Sequence, residues 1–204
     1  MARFKSINEG TSGKVGQVIT YQMYGKSYMR SLPGQYNDKK SEKQLAQRQK
    51  MQLVNSFLAP YKDVLRLTYQ DEAVGHSAYM AAKSYNIRNA IVGEYPEQEI
   101  DMTKALVSSG SVQLPEVASA ERIDDGLLIK WEAEKQMNSS DSLFVIANLR
   151  GQYVTYHKQT EALRRDESYL WKLDYDGAEK FDIWLVFRDY KERGFSNSMW
   201  LGLV

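Results

Sequence analysis

Between Ala105 and Leu203 the chain breaks into short apolar or alternating runs: Ala105–Val107, Gly126–Trp131, Ser142–Ala147, Gln152–His157, Tyr169–Tyr175, Phe181–Arg188 and Ser198–Leu203. Turn formers separate them, among them Asp124-Asp125-Gly126, Asn138–Asp141, Asp174 with Asp176-Gly177, and Glu192-Arg193-Gly194. About seven short strands in roughly a hundred residues is the pattern of two antiparallel sheets packed face to face. The spacing predicts a β-sandwich over residues 101–204.

The first hundred residues have a different texture. Lys14–Leu32 reads as a β-hairpin, because stretches rich in Val, Ile, Thr, Tyr and Met flank Tyr24-Gly25, whose glycine can take positive φ. Period two puts Ile19, Tyr21 and Met23 on one side and Val18, Thr20 and Gln22 on the other. Pro33-Gly34 ends the strand, and the polar link Gln35–Lys40 leads away. Ser41-Glu42-Lys43-Gln44 has capping-box spacing, which starts a helix at Glu42. Leu45, Leu53, Val54, Phe57 and Leu58 form its apolar side until Pro60 interrupts. Tyr61, Val64, Leu65 and Thr68 predict a second helix, and Ser77–Ile91 a third, stopped by Gly93 and Pro96. The expected architecture is α+β, with a hairpin-plus-helical domain at residues 1–100 and a sandwich at 101–204.

The chain of 204 residues has no cysteine, which removes disulfides, thiolate metal ligands and a Cys nucleophile together. Met1–Gly10 has no apolar core of a secretory signal, and no apolar run reaches bilayer length. These features set the expectation of a cytoplasmic protein without membrane insertion.

Chemistry-bearing patterns are sparse. Gly10-Thr11-Ser12-Gly13-Lys14-Val15 has a phosphate-loop flavour, but its glycines stand too close and Lys14 precedes Val15 rather than Ser or Thr. A strand follows it where a phosphate site needs a helix N-terminus. His76 and His157 are the only histidines, and no His-x-x-x-His or Glu-x-x-His pattern surrounds them. No Gly-x-Ser-x-Gly elbow and no Ser-x-x-Lys pair occurs. Asp124 and Asp125 read as a turn, and Glu132 and Glu134 as one exposed strand face, rather than as an acid pair. Trp171, Trp184, Trp200, Tyr169, Tyr175 and Phe187 read as sandwich core more readily than as a sugar platform. No catalytic residue, cofactor or metal site is assigned.

Charge is the strongest functional lead. Residues 1–50 carry ten Lys/Arg against Glu9, Asp38 and Glu42, whereas residues 51–204 carry seventeen against twenty-three acids. The total of +1 conceals this polarity. Lys14, Lys26, Arg30, Lys39, Lys40, Lys43, Arg48 and Lys50 stand near Tyr21, Tyr24 and Tyr28. Cations with stacking aromatics are what single-stranded nucleic acid uses. The same residues suit docking on an acidic protein surface or a second copy.

Several segments carry a resemblance: Gly13-Lys14-Val15-Gly16 with Val18, Tyr21, Gly25 and Arg30-Ser31-Leu32-Pro33, then Glu42 to Arg48, then Ser84 to Ala90. Tyr95-Pro96, Ile100-Asp101, Lys104 to Ser108 and Gly110 continue it. Together they resemble an uncharacterised bacterial family of unknown function, over essentially the whole chain. The hairpin followed by Gln44, Gln47 and Arg48 is similar to segments of phage and prophage proteins. Trp131, Phe181–Phe187 and Ser198–Leu201 make the C-terminal half similar to immunoglobulin or fibronectin type III modules, which mostly bind, space or assemble. The favoured expectation is a non-enzymatic structural or interaction protein, in its most concrete form a virion or assembly component that binds a protein partner or itself. The alternatives are a nucleic-acid-binding protein using the basic head, and a carbohydrate-binding or hydrolytic protein.

Overall fold

Tyr24 and Gly25 both take positive φ, 51° and 69°, so the turn between them has the twist that antiparallel strands require. In the computed structural model, which describes residues 2–3, 12–35, 37–123, 126–172, 179–191 and 193–204, this turn centres a four-stranded antiparallel sheet. Its strands are β1 (Ala2–Arg3), β2 (Gly13–Val15), β3 (Val18–Met23) and β4 (Lys26–Ser31), in the order β1-β4-β3-β2. The expected hairpin is therefore the centre of a larger sheet. This sheet lies within one compact unit, Met1–Ser41, and Glu42–Val204 forms another.

The second unit begins with helix α1 (Glu42–Leu58), then a 3-10 turn at Ala59–Tyr61 and helix α2 (Lys62–Thr68). Pro60 has no N–H to donate, and the chain changes from α to 3-10 there. Helix α3 (Ala78–Asn89) starts where Ser77 Oγ accepts the Met80 N–H at 3.2 Å. A two-stranded ribbon, β5 (Ile91–Val92) and β6 (Glu99–Ile100), follows. The remaining strands are β7 (Ala118–Ile123), β8 (Gly126–Trp131), β9 (Ser142–Leu149), β10 (Thr155–Leu163), β11 (Ser168–Trp171), β12 (Phe181–Arg188) and β13 (Met199–Leu203). They form two antiparallel sheets, ordered β10-β9-β12-β13 and β11-β8-β7. Mixed helices and antiparallel sheets make the chain α+β. No helix among the described residues is long and apolar enough to cross a membrane.

Two cores meet at the β10-β9-β12-β13 sheet. On one face Leu143, Val145 and Ala147 of β9 and Ile183, Leu185 and Phe187 of β12 pack with Leu127, Ile129 and Trp131 of β8. On the other, Phe144, Ile146, Trp184 and Val186 pack with Val54, Leu58, Tyr61, Leu65 and Ala82 from the helices. Trp184 Nε1 donates to the Tyr61 hydroxyl at 3.1 Å, tying the helical layer to the sheet. The sequence reading parted the chain at residue 100. In the fold, the helices after Ser41 share a core with the strands beyond residue 100, because the apolar helical side covers the outer face of the sheet.

Ala105–Val107, expected as a strand, is a buried connection without one. The backbone groups of Leu106 and Val107 are satisfied by side chains instead of by a ladder. The Asn86 amide donates to Leu106 O at 2.9 Å and Ala82 O at 2.8 Å, while its oxygen accepts the Leu106 N–H at 2.9 Å. Val107 N–H donates to Ser198 Oγ at 2.9 Å, and Thr68 Oγ1 to Val107 O at 2.8 Å. The reading missed the two-residue strands β5 and β6 and also β7, whose sequence Ala-Ser-Ala-Glu-Arg-Ile shows mostly exposed positions and no apolar run. The predicted turns at Asp124-Asp125 and Asp174–Gly177 lie outside the described residues, as does Glu192 of the last one.

Asn86 is fully buried, so Asn86→Ala leaves the Leu106 backbone groups without partners. A loss of about 3 kcal/mol is expected. Urea denaturation followed by circular dichroism measures it, with the slope of the transition unchanged.

Candidate functional site

Antiparallel pairing decides which side chains of the N-terminal sheet stand together, since residues directly opposite one another project to the same face. Lys14 pairs with Ile19 and Ile19 with Arg30, Tyr21 with Tyr28, and Met23 with Lys26. One face thus carries Lys14, Lys26 and Arg30 around two tyrosines. The Tyr21 and Tyr28 rings stack, centroids 5.6 Å apart and planes 18° from parallel. The Arg30 guanidinium lies 6.0 Å from the Tyr21 ring centre. The opposite face carries Val15, Val18, Thr20, Met29 and Ser31 by the same register.

This sheet has no buried side chain among its described residues from Ser12 to Ser41. Val15 is 75% exposed and Met29 36%. Tyr24, half exposed, occupies the turn beyond the stacked pair. Lys39 and Lys40 follow in the irregular link, where Lys40 N–H donates to Asp38 Oδ1 at 3.2 Å. Lys43, Arg48 and Lys50 stand on α1 and belong to the second unit. Of the expected basic cluster, the structure gathers Lys14, Lys26, Arg30, Tyr21 and Tyr28 on one sheet face.

The division at Ser41 sharpens the charge pattern. The first unit carries Arg3, Lys5, Lys14, Lys26, Arg30, Lys39 and Lys40 against Glu9 and Asp38. The second carries twenty Lys/Arg against twenty-four acids. A basic unit is therefore joined to an acidic one, and its field extends about 8 Å into solvent at physiological salt.

The second unit has clefts of its own. One of about 490 Å³ lies against β9, β10 and β12 and is lined by Phe144, His157, Arg188, Arg193, Phe195 and Asp71, among others. Arg193 Nε is 3.2 Å from Asp189 Oδ2, and the Arg188 guanidinium lies 5.3 Å from the Phe195 ring centre. Arg193 is thus paired with a carboxylate, and Arg188 rests on an aromatic ring. Another, of about 460 Å³, is lined by Tyr69, Glu72, His76, Ser84 and Arg88, among others. The Tyr69 hydroxyl is buried with no hydrogen-bond partner among the described residues. Burial holds the Tyr69 phenol protonated by pushing its pKa well above the usual range. His76 and His157 thus line separate clefts, and His76 Nδ1 lies 2.8 Å from Val74 O. No group of three His, Asp or Glu side chains suited to a metal ion occurs among the described residues.

The other expected features find structural places. Gly13–Val15 of the loop-like motif forms β2, and Gly10 and Thr11 lie outside the described residues. Glu132 and Glu134, expected on one exposed strand face, follow the end of β8 at Trp131, and the half-buried Glu134 accepts the Glu116 N–H on Oε1 at 3.0 Å; Asp124 and Asp125 are outside the described residues. Trp171, Trp184 and Phe187 are buried and Trp200 and Tyr169 partly so, while Tyr175 lies outside the described residues. What the sequence reading missed is the pairing of β2 and β1 on either side of the hairpin, for which runs of two and three residues give almost no periodic signal.

Residues 10–202 match the sequence profile of a family of unknown function (DUF6266). No curated protein and no solved structure matches the chain.

Gly25→Val places a β-branched residue at φ 69°, where only glycine is unstrained. Amide cross-peaks of Val18–Ser31 are expected to lose their dispersion in a ¹H–¹⁵N spectrum. The main melting transition, carried by the second unit, is expected to move by less than about 2 °C.

Proposed function

The chain belongs to the DUF6266 family of unknown function, from which no activity carries over, and we propose that it is a non-enzymatic interaction protein whose N-terminal sheet docks a partner. The observation behind this reading is that the sheet buries none of its described side chains from Ser12 to Ser41. A sheet gains independent stability from a covered hydrophobic face, and here Val15 on an edge strand and Met23 and Met29 on the two central strands are all exposed. A surface that completes this sheet would supply what its own residues lack.

The second unit would be the rigid base. Its strand orders support the immunoglobulin or fibronectin type III likeness, with the first, second and fifth strands in one sheet and the third, fourth, sixth and seventh in the other. A component of a larger assembly, of the prophage kind that the N-terminal segment resembles, is the most concrete form of the proposal.

Hydrogen exchange on dilute monomer tests it. Amides of β3 and β4 are expected to exchange orders of magnitude faster than those of β9 and β12. Equal protection of the two sets would mean that the sheet sustains itself, and the docking reading would fall.

A further inference from the structure

The two faces of the N-terminal sheet differ, and the difference bears on what it takes. Strands β2, β3 and β4 contain no Asp or Glu. One face combines Lys14, Lys26 and Arg30 with the stacked Tyr21–Tyr28 pair, and Arg30 already lies against the Tyr21 ring. Resting on the reading of this sheet as the docking element, we propose that this face binds single-stranded nucleic acid, its bases against the tyrosine column and its phosphates against the three cations.

The chemistry separates this ligand from its competitors. An acidic protein surface would meet the cations but has no use for the outer aromatic face of the stacked tyrosine pair. Duplex nucleic acid presents phosphates yet keeps its base faces stacked inward. A single strand offers both a charged backbone and unstacked π faces, which is what tyrosines interleaved with cations select. The width of the sheet agrees. Four strands span three inter-strand spacings, about 14 Å, and a four-stranded sheet with surface aromatics accommodates two or three bases. Three phosphate contacts predict a modest salt dependence, about 20-fold weaker binding from about 50 to about 200 mM salt on the single-strand slope.

The intact protein is titrated against a fluorescently labelled oligothymidylate of about fifteen nucleotides and a duplex of equal length, by anisotropy, with polyglutamate as competitor. Saturable binding that prefers the single strand is expected. The double change Tyr21→Ala and Tyr28→Ala should weaken it about tenfold or more, and Tyr21→Phe with Tyr28→Phe should retain it. Neutralising Lys14, Lys26 and Arg30 to Gln should flatten the salt slope. The Phe variant guards against loss by misfolding, since it keeps the rings and removes only the hydroxyls. No anisotropy change even at low salt would overturn the proposal. So would binding indifferent to the Ala pair, or polyglutamate binding that is equally tight and independent of the tyrosines, which would make the partner an acidic protein.

Hydrogen exchange keeps this failure apart from failure of the docking reading. Fast exchange in β3 and β4 without oligonucleotide binding removes only the ligand. Strong protection in the free monomer removes the docking role itself.

Discussion

Strands β9 and β12 are covered on both faces, and the second unit is organised around that constraint. Their eight-residue partnership runs in unbroken register from Phe181 opposite Leu149 to Arg188 opposite Ser142. Alternate residues go to different cores, Leu185 and Phe187 to the sandwich and Trp184 and Val186 to the helices. A one-residue slip would exchange the two sets and put the Trp184 indole where Ile183 or Leu185 packs. The helices therefore depend on this register as much as the second sheet does. Trp184 states the dependence at one atom, because its Nε1 has its partner on the helical layer at Tyr61.

Irregular segments in the interior follow from the same three-layer plan. Where the helices give way to the sandwich, the chain crosses the core as Ala105–Ser108, without a strand neighbour. Such a passage is tolerable only if its peptide groups find partners: the Asn86, Thr68 and Ser198 side chains serve Leu106 and Val107, while Ala105 N–H donates to Asp101 O and Ser108 O accepts the Ser198 N–H. Arg164 solves a similar problem at the other end. Its guanidinium sits 4.0 Å from the Phe187 ring centre, pairs with Asp141 at 3.3 Å and donates to Gln113 O at 2.7 Å. Removing either partner of that nearly dry pair would cost more than the pair contributes, because the remaining charge would have no counterpart.

Much of this was legible, and the exceptions have physical causes. Phe181–Phe187 is apolar at almost every position rather than at alternate ones. That is the mark of a strand with two covered faces, yet the sequence reading assigned only one cover and so parted helices from sandwich. The helix start at Glu42 was readable from the local capping-box spacing of Ser41 and Gln44, and the helix after Ser77 from the spacing of its apolar residues. The passage at Ala105–Val107 was misread because an apolar triplet looks alike in a strand and in a buried loop. Edge strand β7 was overlooked because half-solvated edges need no hydrophobic pattern. In the N-terminal unit, the cationic and aromatic residues were visible individually. Their sharing of one face followed once the register of β3 and β4 was known, since the turn length sets which residues oppose.

The split of charge at Ser41 also shapes how the protein behaves in bulk. With a net charge of +1 and an isoelectric point near 7.8, copies repel one another weakly at neutral pH. Each nevertheless presents a basic region and an acidic one, so head-to-body encounters between copies are attractive. Such a molecule acts as a patchy colloid rather than as a uniformly charged one. Added salt screens the attraction before it removes any repulsion of consequence, so solubility rises with ionic strength over the range where ordinary acidic proteins change little.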